Sequence, residues 1–289
     1  MSGSIQLIPI ARADSCLFVS QNILTPAEVA VLETFVVPRY LSAFGTAAMD
    51  MMLTGGGANV VHLGCRTGYP DAELLAKIPN CQVVGVDPSA AAIELARNKA
   101  ASYGRRGLSY SVASGYPTEL PSASFSHAMS LHPIANMGGR AELFAELMRL
   151  TYAAGQVLVS MPLRGSFQEL GDLFKEYALK YDEGEFGQAV EVAMGLRPSI
   201  ETLAEELERV GLSDVDVEVV STELKFAGGR AFIEDPTTRL LIVPDLETLL
   251  GNFDLASPLT YVCDAIDEYW SETEFSLSVK VGCASARRR

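Results

Sequence analysis

The 289-residue chain has no apolar run of about 18 residues, so no segment is expected to cross a membrane. Its opening, MSGSIQLIPIARADS, lacks the basic-then-apolar order of a secretory leader. Cysteine is sparse and unpatterned: Cys16, Cys65, Cys81, Cys263 and Cys283 are odd in number and without CxxC spacing. That excludes a disulfide scaffold and a zinc ribbon and points to reduced thiols in a cytoplasmic protein. Histidine is scarcer still. With only His62, His127 and His132, no metal centre is expected. The sequence shows no internal repeat and no low-complexity linker.

Charge of one sign is missing from only part of the chain. Residues 1–159 carry 11 acids against 10 bases, whereas residues 160–289 carry 25 acids against 12. The acidic second half repels phosphate backbones, which makes nucleic acid a poor partner and leaves that half as a surface for a protein partner. The terminal Arg287-Arg288-Arg289 reads as a solvated tail. Hydrophobic content of 48% with 20% charge fits a folded globular chain rather than disorder.

What is present is an alternation of strand and helix patterns. Residues 26–53 read as a helix opened by Thr25 or Pro26, with Val29, Leu32, Val36 and Leu41 as its stripe and a break at Pro38. Gly55-Gly56-Gly57 is a turn. Strands are predicted over 58–63, 81–86, 108–113, 125–131 and 156–161, and helices over 70–77, where Asp71 and Glu73 suit the positive end, 89–103 and 141–150. A parallel sheet with helices on both faces follows. Ligands of such sheets bind beyond the carboxyl ends of the strands, which aligns the 64–69 turn, Asp87, the 114–116 turn and the 131–133 turn on one edge. Farther on, 167–181 looks helical, and Ser199 caps a helix with Ile200, Leu203, Leu207 and Val210 on one face, closed by Gly211. Its acids, Glu201, Glu205, Glu206 and Glu208, read as a solvated face. Strands over 214–226 and 275–281 alternate polar and apolar residues. Between them lies an insertion, 227–274, with a helix near 261–270.

These residues resemble a known family, the class I S-adenosylmethionine-dependent methyltransferases. VVHLGCRTG, residues 60–68, is similar to the family's V-L-D-L-G-C-G-T-G loop. GVDPS, 85–89, resembles its acid-ended second strand. LPSASFSHAMSLHPI, 120–134, and LMRLTYAAGQVLVSMP, 147–162, resemble the segments through the fourth and fifth strands. The resemblance covers most of the chain. It implies a doubly wound, mostly parallel seven-stranded sheet with an antiparallel final strand. It divides the chain into an N-terminal helical cap (1–57), a Rossmann-like core (58–226 and 275–289) and the insertion (227–274) as a lid or partner-binding element.

The resemblance also implies a site. Gly64, Arg66, Thr67 and Gly68 would hold the methionine end of S-adenosylmethionine, Asp87 the ribose, and Ser114 with Gly115 the adenine side. Cys65 as small filler, Pro88 and Leu131 complete the candidate cofactor surface. The glycines suit a tight turn and a close helix start, and Asp87 stands about 20 residues beyond the turn, as a ribose-diol acceptor should. Asp87 equally suits a cap for the following helix. His132, just past the fourth strand, is the candidate general base, with a loop histidine as the plainer alternative. His127 reads as a satisfied core residue. Four positions depart from the family pattern: His62, Ser114 and Ser126 stand where acids are usual, removing three carboxylates from the expected cofactor surface, and Arg66 replaces a glycine. A lost charge-assisted hydrogen bond is worth ~1.5–3 kcal/mol. His62 is expected to bond a backbone carbonyl under the loop. Arg66 either fills the space above the turn or pairs with a ligand carboxylate.

Two functional readings follow. In the first, the protein transfers a methyl group to a small-molecule or protein nucleophile, with Arg230 and Arg239 as candidates for gripping an anionic acceptor. In the second, the fold is catalytically inactive and acts as a binding or regulatory scaffold. A nicotinamide-dependent dehydrogenase ranks below both, because Gly-x-Gly-x-x-Gly is lacking. Trp270, Tyr261 and Tyr269 read as packing of the insertion. The exposed strand edge and the insertion are compatible with a homodimer.

Overall fold

A computed structural model describes residues 24–55, 57–104, 107–133 and 137–289. Cys16, Gly56 and Ile134, used in the sequence reading, lie outside the described residues, as does the opening segment. The sheet has seven strands: β1 (Asn59–Leu63), β2 (Gln82–Asp87), β3 (Leu108–Val112), β4 (Phe125–Leu131), β5 (Thr151–Pro162), β6 (Leu212–Phe226) and β7 (Phe275–Arg288). Their order is β3-β2-β1-β4-β5-β7-β6. The first five pair in parallel, and β7 runs antiparallel to both β5 and β6. This is the mostly parallel sheet with a reversed final strand expected from the sequence. Every residue of β4, and all of β1 beyond Asn59, is buried, because central parallel strands are covered on both faces.

The helices explain that cover. On one face α5 (Arg140–Leu150) and α8 (Ile200–Arg209) bring Leu143, Leu147, Leu203 and Leu207 onto Val61, Phe125 and Val157. On the other, α3 (Asp71–Lys77) sets Leu74 against Val60, Val83 and Met129. A helix α4 (Ala90–Ser102) follows β2 and packs Ile93 and Ala96 near Tyr110. Glu206 of α8 is not simply solvated, since it takes a two-pronged ion pair from Arg140.

Above the strand tips the chain builds a roof. It begins with α1 (Pro26–Val31), whose Thr25 and Glu28 form a capping box. It continues without interruption through a π-helical segment (Leu32–Leu41) into α2 (Ser42–Met51). Pro38 was expected to break this helix and does not: the wider π turn accommodates a ring that would clash with the carbonyl four residues back in an α-turn. The remaining roof helices are α6 (Gln168–Lys180), α7 (Gly184–Gly195), α9 (Gly229–Glu234), a π-helical turn (Thr238–Ile242), α10 (Val243–Leu250) and α11 (Ala256–Tyr269). Of these, α7, α9, the π-helical turn and α10 had no expectation from sequence. Tyr261 is buried and donates to Glu176, while Trp270 packs edge-on to Phe275, with 5.0 Å between ring centroids. Tyr269, half exposed, also donates to Glu176.

The expected solvated tail is corrected. Arg287 and Arg288 belong to β7, where Arg287 faces Gln156 of β5 and Arg288 faces Leu212 of β6. Their guanidinium groups donate to Ala154 O and to Arg149 O and Thr151 O. The alternation rule located only the first half of this strand, since Gly282, Cys283, Ala284 and Ala286 are small and buried and do not alternate with exposed polar residues. Among the described residues no helix is long and apolar enough to cross a membrane.

Candidate cofactor site

The β1–α3 turn is built from left-handed residues. Gly64, Arg66 and Gly68 have φ of 69°, 47° and 78°. Gly64 N and Cys65 N both donate to Val86 O, which pins the turn to β2. A Cβ on Gly68 would sit 2.6 Å from the Tyr110 hydroxyl, so only glycine fits there. Cys65 packs on Gly85, where a Cβ would approach its sulfur to 2.8 Å. Burial pushes the Cys65 thiol well up, which suits the filler role expected of it.

Asp87 ends β2 with a buried side chain. Its Oδ2 accepts from Arg66 N (2.8 Å) and its Oδ1 from Ser89 N (2.9 Å). Burial raises the Asp87 pKa, and these N–H groups with the Arg66 charge oppose that shift. Ser89, not Asp87, caps α4, its hydroxyl accepting from Ala92 N. Lys99 ties the turn to the roof by donating to Thr67 O (3.0 Å) and Glu33 (2.5 Å).

His62 does not bond a backbone carbonyl, as was expected. Its Nδ1 lies 2.8 Å from Asp71 Oδ1, and the Tyr110 hydroxyl donates to the other oxygen of the same carboxylate at 3.1 Å. All three side chains are buried. A carboxylate only accepts, so Nδ1 carries the proton, and the ring's other nitrogen is Nε2. Among the described residues that Nε2 has no partner, and neither has the buried Thr67 hydroxyl. Both residues line a cavity of about 20 Å³ together with Gly64, Cys65, Arg66, Phe44 and Leu131, among others. The negative charge missing at position 62 is therefore supplied from behind the ring by Asp71, at the start of α3.

Arg66 closes this cavity and walls a second one. Its Nη1 donates to Leu131 O (3.1 Å) and its Nη2 lies 3.4 Å from His132 Nδ1. Since guanidinium only donates, His132 Nδ1 accepts, and its Nε2–H then donates to the Tyr40 oxygen, 3.0 Å away. The His132 ring stands edge-on to Tyr40 and Phe44, with centroids at 5.3 and 5.0 Å. Burial first, and then the Arg66 charge, holds the His132 pKa well below the ordinary histidine value, so the ring is neutral. Among the described residues no carboxylate forms an ion pair with Arg66. The second cavity, about 100 Å³, is lined by Arg66, Asp87, Pro88, Ser89, His132 and Pro133 from the sheet edge and by Leu240, Leu241 and Pro244 from the insertion, among others.

The expected site residues thus share one edge but not one space. Ser114 and Gly115 line a separate groove formed by residues 111–120 and Val86. Ser126 is far from the tips: its hydroxyl bonds Asn59 N and Asn59 O at the opposite end of β1, so an acid lost there would not have faced the cofactor surface. His127 sits nearby with partners for both nitrogens, the Ser126 hydroxyl and Leu53 O. Arg230 pairs with Glu234 on the surface, and neither it nor Arg239 lines the cavities. Sequence reasoning missed Asp71, Tyr110, Tyr40 and Phe44. Asp71 was visible only as a helix-start acid, and no spacing links Tyr40 to His132.

Comparison with known proteins agrees with this fold. Residues 60–155, from β1 into β5, match a methyltransferase domain family. Trans-aconitate 2-methyltransferase of Acidovorax sp. is 36% identical over 104 residues, which is 36% of this chain and 38% of that protein. The chain therefore spans about two fifths of that curated relative. Among solved structures, a Haemonchus contortus phosphoethanolamine N-methyltransferase 2, in complex with phosphomonomethylethanolamine and S-adenosylhomocysteine, aligns with a TM-score of 0.57 at 17% identity, covering 93% of this chain and 59% of that one. A Bacillus halodurans protein described as a putative methyltransferase aligns at 0.55 and 14% identity, covering 85% and 99%. Residues 60–155 match a methyltransferase domain, in a chain whose seven-stranded sheet has the Rossmann-like fold of solved methyltransferases.

Proposed function

We propose that the protein binds S-adenosylmethionine at the tips of β1, β2 and β3 and transfers its methyl group to a small-molecule or protein nucleophile. The observation that carries this reading is that two of six buried side-chain atoms unpartnered among the described residues, His62 Nε2 and Thr67 Oγ1, meet at the β1–α3 turn beside Asp87. Natural interiors rarely leave such atoms without a partner unless a ligand or water supplies one. The donor set fits the cofactor chemically. His62 and Thr67 offer acceptors to an ammonium, Asp87 keeps lone pairs for a ribose diol, and the Arg66 guanidinium forms no ion pair among the described residues. The cofactor supplies a methyl group on an electrophilic sulfonium. The chain contributes orientation, exclusion of water and, at His132, a neutral imidazole.

Titration calorimetry with S-adenosylmethionine and S-adenosylhomocysteine tests the reading. Micromolar binding to the parent, with at least about a tenfold loss in Asp87→Asn, is the expected result. No heat and no thermal shift at millimolar ligand would sink it. The scaffold reading has one specific observation in its favour. Arg66 divides the site into cavities of about 100 and 20 Å³, whereas pockets for ligands of this size run from about 300 Å³. Joining the two requires the Arg66 side chain to move.

A further inference from the structure

Arg66 is the point at which the site resists a ligand, and its contacts show what would move it. A glycine is the residue suited to its left-handed backbone, and a long side chain there carries a conformational cost of about 1 kcal/mol or more. The guanidinium is packed against the roof yet lacks a carboxylate partner; it rests on one carbonyl and, at long range, on His132. Burial lowers its pKa and the nearby Asp87 charge opposes that shift, but the guanidinium itself makes no ion pair among the described residues. The partner it holds, His132 Nδ1, is the lone pair a general base would use, because Nε2–H is already committed to Tyr40.

We propose that Arg66 is a two-position carboxylate receptor that gates His132: at rest it occupies the Nδ1 lone pair, and a ligand bearing a carboxylate takes the guanidinium over and frees that lone pair. The inference rests on the cofactor reading above. It assigns one residue two tasks, recognising the amino-acid end of the ligand and keeping the base silent until that end is present. The freed Nδ1 would receive the proton lost by the methyl acceptor as the acceptor's bond to the methyl carbon forms and the carbon–sulfur bond breaks, its electron pair staying on the sulfur of S-adenosylhomocysteine; the imidazolium would then return the proton to solvent. Besides Arg66 and Tyr40, Arg197 acts electrostatically on His132, and Asp245 holds Arg197 at 2.6 Å.

The test compares S-adenosylhomocysteine, which carries the carboxylate, with 5′-methylthioadenosine, which lacks the amino-acid tail, at saturation. Ring ¹⁵N spectra are read for the three histidines of the chain. In the parent, S-adenosylhomocysteine should shift the His132 Nδ1 signal and methylthioadenosine should leave it in place. In Arg66→Ala that signal should already sit at its released position without ligand, and the preference for the carboxylate-bearing ligand should fall by about tenfold or more. Binding of both ligands with an unmoved or equally moved His132 signal overturns the gate while leaving the cofactor reading intact. An undiminished preference in Arg66→Ala overturns the receptor. Failure of both ligands to bind parent and variant alike overturns the inference together with the reading beneath it. The parent spectra decide the matter even where Arg66→Ala folds poorly.

Discussion

His62 and His127 stand on neighbouring strands, β1 and β4, near enough in register that Val60 pairs with His127. Both are buried. His127, at the foot of the sheet, has a partner for each nitrogen and stitches β4 to the chain entering β1. His62, near the tips, is held by Asp71 on one side and has nothing on the other. The same residue type thus does two jobs, and the difference lies in satisfaction rather than in burial. A fully bonded polar side chain fixes a fold; a half-bonded one beside a cavity is arranged for something that arrives later.

The largest expected effect tests the held side of His62. Asp71→Ala strips partners from His62 and Tyr110 together and should cost about 3 kcal/mol in urea unfolding, because it leaves two buried polar groups unpaired. A loss under ~1 kcal/mol would show that the pair does not hold the turn. His127→Ala should cost about 1–2 kcal/mol and leave S-adenosylhomocysteine binding unchanged. Weakened binding there would erase the contrast between the two histidines.

A pH series addresses the other side of the comparison. Burial depresses the folded pKa of both His127 and His132 below the ordinary 6.5. The unfolded chain therefore takes up these protons first, so the stability they contribute is complete above pH 6.5 and is lost as pH falls through their folded pKa values. Thermal melts should decline below pH 6.5, and His132→Gln should flatten that decline. The smallest effect carries the most information. Thr67→Val removes an unpartnered buried hydroxyl and should leave stability unchanged or raise it by ~0.5–1 kcal/mol while weakening ligand binding. A clear loss of stability would mean that the hydroxyl serves the fold instead.

The sheet was legible because valine-rich runs alternate with amphipathic helices, and the tip residues were legible because Gly64, Gly68 and Asp87 stand at a backbone-dictated spacing. Side-chain partnerships were not. Asp71 looked like a charge suited to a helix start, and its real task depends on the depth at which α3 packs. Ser126 was placed on the cofactor surface by motif order alone, although the opening of β4 lies at the other end of the sheet from its tip. Pro38 was read by α-helical rules, and the chain there is a π helix. Tyr40 and Phe44 reach His132 only because the roof folds back over the sheet, a contact that local pattern does not encode.

That roof is continuous. Leu32 and Val36 of the π segment, Phe174 of α6, Phe186 of α7, Phe232 of α9, Ile266 of α11 and Phe275 of β7 belong to one apolar cluster. A cap that shares its interior with the sheet cannot swing aside as a hinged flap without exposing that interior, so access to the tips is expected through side-chain rearrangement rather than domain opening. In amide exchange, the N-terminal helix and the insertion helices should lose protection as one cooperative unit, at a free energy set by the whole fold and not by a loop.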